Sequence, residues 1–111
     1  MPAEPGEALF EKLRDRDAVV RCQAARAIGT SRLKDGAREL AQVLADDPSA
    51  PVRRAAAEAL GKIGDAAARG PLERALRSDR DDSVRRAVAA ALARLGAGTG
   101  DYPGILPVSE E

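Results

Sequence analysis

Two stretches of this chain, VRRAAAEALGKIG from Val52 and VRRAVAAALARLG from Val84, are copies set 32 residues apart, and a more drifted copy begins at Val20. This period constrains the fold more than any composition figure. A unit of about 32 residues is one supersecondary element that cannot bury its apolar face alone and must stack on its neighbours. The alignment runs through Ala24, Ala56 and Val88, then Ala25, Ala57 and Ala89, then Ala27, Ala59 and Ala91, and ends on Ile28, Leu60 and Leu92.

Each copy reads as an amphipathic helix. Val52, Ala56, Ala59, Leu60 and Ile63 fall at i, i+4, i+7, i+8 and i+11, which is one apolar stripe. Asp17, Ser49 and Asp81 stand where an N-cap is needed to accept from the free amides of the first turn. Gly64 and Gly96 follow the stripe where a left-handed residue would end the helix. The spacing predicts helices over 17–30, 49–63 and 81–95. Between them Leu9, Phe10 and Leu13, then Leu40, Val43 and Leu44, then Leu72 and Leu76 mark a partner helix for each. The third partner is expected to start near Pro71, since Pro is accepted in a first turn and not in a helix interior. The 24 alanines favour helices that approach closely over a thick aromatic core.

The pattern D-x-x-V-R-x-x-A-A-x-A-L-G-x-I-G, followed by P-L-x-x-A-L, resembles HEAT-like repeats of the phycobilisome-lyase type over nearly all of residues 7 to 96. The resemblance implies an all-α fold, a short right-handed α-α superhelix of three antiparallel helix pairs. Residues 1–96 are read as the three-unit domain and 97–111 as a Gly/Pro-rich tail. Three departures stand out: Ser31 and Arg32 replace Ile63-Gly64, Ser49 replaces the usual Asp, and Ala93 replaces Gly29 and Gly61. The resemblance also implies an Asp/Arg ladder between units, assigned to Asp17 with Arg21, Ser49 with Arg53 and Asp81 with Arg85, each arginine lying four residues after its cap.

The chain offers little for catalysis. It contains no histidine, which removes the commonest general base and metal ligand together with any Ser-His-Asp triad or Cys-His pair. Similar repeats in deoxyhypusine hydroxylase hold iron through His-Glu pairs, and none exists here. Cys22 is the single thiol and sits in the column of Arg54 and Arg86, so it reads as structural; one Cys also excludes an internal disulfide. A calcium loop from Asp79 would need Gly and Glu where Val84 and Ala90 stand. The run from Gly96 to Gly100 has no preceding strand and no P-loop lysine. No catalytic residue, metal ligand or cofactor is expected.

With Lys plus Arg equal to Asp plus Glu, any electrostatic preference must come from how charge is placed. Residues 17–32, 49–64 and 81–96 carry net charges of +2, +2 and +1, so the rest of this neutral chain carries −5. In the resembled arrays the second helices line the concave face, which implies a mildly basic groove. The expected function is a protein-binding adaptor or scaffold whose surface includes Arg26, Arg54, Glu58, Lys62, Arg86 and Arg94 and whose partner is a protein with an acidic surface or peptide. Nucleic-acid binding is the alternative class, disfavoured because Phe10 and Tyr102 both lie outside the second helices and leave no stacking platform. A subunit of a bilin lyase-type complex is the third. No membrane span, secretion signal or basic leader is read, giving a cytoplasmic expectation. In the tail, Tyr102, Ile105, Leu106 and Val108 are expected to fold over the last unit as a cap, the competing outcome being a free linear motif that docks on another protein, with intermolecular capping producing a homodimer.

Overall fold

The computed structural model describes residues 5–96. Six helices follow in order: α1 (Pro5–Lys12), α2 (Ala18–Thr30), α3 (Ala37–Asp46), α4 (Ala50–Ile63), α5 (Arg69–Ser78) and α6 (Asp82–Leu95). Short 3-10 turns at Lys34–Gly36 and Ala66–Ala68 lead into α3 and α5. There is no strand among the described residues. The second helices α2, α4 and α6 pack side by side in one layer, α3 and α5 pack beside each other in another, and each pair closes across the layers, α1 on α2, α3 on α4 and α5 on α6. This is an all-α solenoid of three helix pairs.

The helix starts follow from side-chain chemistry. Asp17 accepts from Val19 N–H at 2.8 Å, Ser49 Oγ from Val52 N–H at 3.5 Å, and Asp81 from Ser83 and Val84 N–H at 2.8 and 3.1 Å. All three capping residues are extended, so each helix begins one residue later than the pattern suggested. Each such cap is worth about 1 kcal/mol. In α5 the start comes two residues before Pro71, which still falls in the first turn, where its missing N–H costs no intrahelical bond.

The helix ends differ from expectation at two places. Gly64 is left-handed, with φ 75°, and its N–H reaches Leu60 O at 3.0 Å. Gly96 is not left-handed: at φ −101° its N–H still reaches Leu92 O, so no reversal of handedness is needed there. In the first unit the left-handed residue is Arg32, at φ 52°, followed by a Leu33 N–H to Ile28 O bond of 3.1 Å. Arg32 therefore does the work that Gly64 does one unit later, without glycine's freedom.

The core is a thin seam. Ile28, Leu60 and Leu92, repeated at the same position in each unit, are fully buried along with Leu40, Leu44, Leu72, Val52, Val84 and Val88. Alanines fill the spaces between second helices. Close approach explains one departure in the repeat: a Cβ on Gly29 would lie 2.6 Å from Ala59 Cα, and one on Gly61 would lie 3.0 Å from Ala91 Cα. Ala93 holds the same position in α6, where no further second helix is packed among the described residues, and it is exposed.

Candidate protein-binding surface

The three repeat arginines build one continuous polar seam through the array. Arg21 turns Nε and Nη2 onto Asp47 at 2.8 and 3.1 Å, while its Nη1 donates to Asp15 O at 2.7 Å. Arg53 repeats the arrangement one unit later, with Asp79 at 2.9 and 3.1 Å and Asp47 O at 2.9 Å. Asp47 thus takes Arg21 on its carboxylate and Arg53 on its carbonyl, and Asp79 takes Arg53 and Arg85 in the same way. The pattern runs Arg21, Asp47, Arg53, Asp79, Arg85. Asp15, Asp47 and Asp79 also accept from the N–H of the capping residue two positions on.

This corrects the pairing expected for the ladder. Asp17, Ser49 and Asp81 are spent on their own helix amides and do not form the rungs with Arg21, Arg53 and Arg85. The acceptors are the loop aspartates 26 residues further along the chain. The physical reason is direction: an N-cap side chain must fold over the first turn to satisfy amides, so it cannot also face the adjoining unit. A signal for the true partners was present, since Asp15, Asp47 and Asp79 also recur at 32 residues.

The rungs are bidentate and nearly dry, with Asp47 and Asp79 each 6% exposed. Hydrogen bonding to Asp47 and Asp79 raises Arg21 and Arg53 above the ordinary arginine value. Burial alone would push the Asp79 carboxyl up, but hydrogen bonds from Arg53 and from Asp81 N–H, with the charge of Arg53, outweigh it and hold Asp79 low. Asp81 is also held low, chiefly by the Ser83 hydroxyl and then by Val84 N–H.

The side of the second-helix layer turned away from the core is the open face. It carries Arg26 and Thr30 on α2, Arg54, Glu58 and Lys62 on α4, and Arg86, Ala90 and Arg94 on α6. Arg54 pairs with Glu58 at 3.2 Å and Arg86 with Asp82 at 3.0 Å, both exposed contacts along one helix. Arg26, Lys62 and Arg94 are exposed and have no ion pair with any described residue. Val19, at 61% the one exposed large apolar side chain described, lies on the first turn of α2, one helical turn before Cys22 and two before Arg26. Arg26, Pro51, Arg54, Glu58 and Ser83 line a shallow depression of about 160 Å³ across the three helices.

Other candidate features resolve into structure. Cys22 is half-buried, its Sγ 3.9 Å from Pro51 O. The acidic run at 79–83 is divided between a rung, a cap and the Asp82 contacts to Arg85 and Arg86. Among the described residues no group of three or more His, Cys, Asp or Glu could hold a metal ion, and no helix is long and apolar enough to cross a membrane. A groove of about 500 Å³ between α3 and α5 has mixed lining, with Arg38, Arg74 and Arg80 beside Asp46, Asp47 and Asp79. Phe10 packs half-buried against the core. Tyr102, Ile105, Leu106 and Val108 lie outside the described residues.

Comparison with known proteins agrees with this architecture. The family model for HEAT repeats matches residues 6–93. Among solved structures, the complex of CpcE and CpcF of phycocyanin lyase from Nostoc sp. PCC7120 is similar, with a TM-score of 0.76 and 31% identity over 86% of this chain. The chain spans 38% of the length of that matched chain. No curated protein sequence matches. The chain belongs to the HEAT-repeat family.

Proposed function

We propose that this chain is a non-catalytic scaffold that binds an acidic segment of another protein across the open face of α2, α4 and α6. The supporting observation is the charge left over on that face. Five cations, Arg26, Arg54, Lys62, Arg86 and Arg94, stand against two carboxylates, Glu58 and Asp82, which pair with Arg54 and Arg86, and the other three cations have no described ion-pair partner. The other two arginines of this face, Arg54 and Arg86, are engaged in pairs along their own helices, whereas these three cations are available to a ligand. Complementary charge of this kind sets encounter rate and selectivity more than affinity. The similar solved structure is itself a complex of two proteins, which favours a protein partner.

A second reading, part of a lyase-type complex, is favoured by the same comparison, because the similar structure is a phycocyanin lyase. Two experiments separate them. Capture of partners from the source lysate should yield a protein that is lost when Arg26, Lys62 and Arg94 are all reversed to Glu; capture unchanged by the reversal contradicts the scaffold reading. Incubation with a bilin and an acceptor protein should leave the acceptor uncoloured, whereas a covalent adduct would favour the lyase reading.

A further inference from the structure

At the last turn of the second helices stands a row of hydrogen-bond donors. Thr30, Lys62 and Arg94 recur at 32 residues, so each is displaced from the next by one repeat of the array. All three are exposed, and no side chain among them has a hydrogen bond or ion pair with a described residue. The other rows of the open face are less free. Glu58 interrupts the row of Arg26 and Ala90, and Arg54 and Arg86 are engaged along their own helices. A cation near a helix C-terminus also suits the helix dipole. That accounts for Lys62 and Arg94 one at a time, but it gives binding no reason to depend on how a ligand spaces its charges.

The joints fix the spacing of the row. Packed helices stand roughly 8 to 10 Å apart, and these lie at the short end, since Gly29 and Gly61 press directly on the backbone of Ala59 and Ala91. The Arg94 stem leans across its joint onto α4, its Cδ 3.4 Å from where a Cβ on Gly61 would sit, which keeps it close to Lys62. A ligand that meets the row in register needs carboxylates on one side at this interval. A β-strand alternates sides, so residues three apart face opposite ways. An α-helix returns to the same side with an advance of about 10.5 Å over seven residues, longer than these joints. A polyproline II segment makes one turn in three residues and advances about 9.3 Å, which fits both interval and side.

Building on the open-face reading, we infer that the partner's acidic segment is a polyproline-type strand crossing α2, α4 and α6 near their C-terminal ends. Its carboxylates recur at every third residue and are received in turn by Thr30, Lys62 and Arg94. The test compares two labelled peptides with five glutamates each, (Glu-Pro-Pro)×5 and (Glu-Pro-Pro-Pro)×5, by fluorescence anisotropy on the full chain at low salt. The second peptide has the same charge and backbone, but no two of its glutamates are three or six residues apart. The wild type should bind the first about three- to tenfold more tightly. Lys62→Gln/Arg94→Gln should bind both equally and more weakly, with an unchanged far-ultraviolet circular dichroism spectrum showing that the variant is folded. Equal binding of the two peptides by the wild type would overturn the spacing and leave the open-face reading standing. A preference that survives in the variant would overturn it too, assigning the register to another row. Failure of either peptide to bind the wild type would overturn both readings together.

Discussion

At the scale of single residues, Asp47 and Asp79 carry the joints, and they were the residues hardest to read. The arginine column was legible because Val-Arg repeats at 32 residues within an obvious helix. Its acceptors were not, because an aspartate four residues earlier on the same helix is the natural local partner, and the real one comes from a loop 26 residues on. Each rung is made of charge-assisted hydrogen bonds, so leaving one partner unpaired should cost about 1.5 to 3 kcal/mol. Acid provides a second test. Asp79 is held below its ordinary value of 3.8 in the folded chain. A carboxyl depressed by folding contributes stability that is present above the unfolded value and is lost as pH falls through the folded one. Denaturant unfolding should therefore show stability declining from about pH 5 toward pH 2. Asp79→Asn should be less stable at neutral pH and lose less on acidification. The Asp81 carboxyl, also held low, keeps part of the slope in that variant. An acid limb unchanged by Asp79→Asn would contradict the role given to the rung.

At the scale of elements, the helices were legible within one or two residues because stripe, cap and period agree. What the pattern hid was backbone handedness and close approach. Arg32 stands where the later units have a glycine, yet the helix end is intact and the arginine adopts the left-handed conformation itself. That conformation costs an L-residue roughly 1 to 2 kcal/mol, offset in part by the looser unfolded chain that glycine brings. Arg32→Gly should accordingly stabilise the protein by about 0.5 to 1 kcal/mol, read as a rise in the denaturant midpoint with an unchanged slope. A lower midpoint would mean that the Arg32 side chain contributes something the backbone does not reveal. Similarly, Ala93 departs from the glycine of the two earlier units. The contacts of Gly29 with Ala59 and Gly61 with Ala91 explain it: glycine is needed only where another second helix lies against the position.

At the scale of the whole molecule, the repeat decided the fold and nearly exhausted the recurring columns in building it. Function is left to the positions that repetition leaves free. Of the six surface residues singled out from the sequence, Arg54, Glu58 and Arg86 are engaged in pairs along their own helices. Side-chain pairing of that kind depends on rotamer and neighbour, which a net-charge reading does not contain. Arg26, Lys62 and Arg94 are thus the residues on which the scaffold reading rests. The most direct measurement is a fluorescence-anisotropy titration of a labelled 20-residue polyglutamate peptide at low salt. It should be run against the wild type, against Arg26→Glu/Lys62→Glu/Arg94→Glu, and against Arg38→Glu/Arg74→Glu/Arg77→Glu on the other layer as a charge-matched control. If the open face is the binding surface, the wild type and the control bind with an affinity that weakens as salt rises, and the open-face variant does not bind. Equal loss in both variants, or no binding by the wild type, would contradict it.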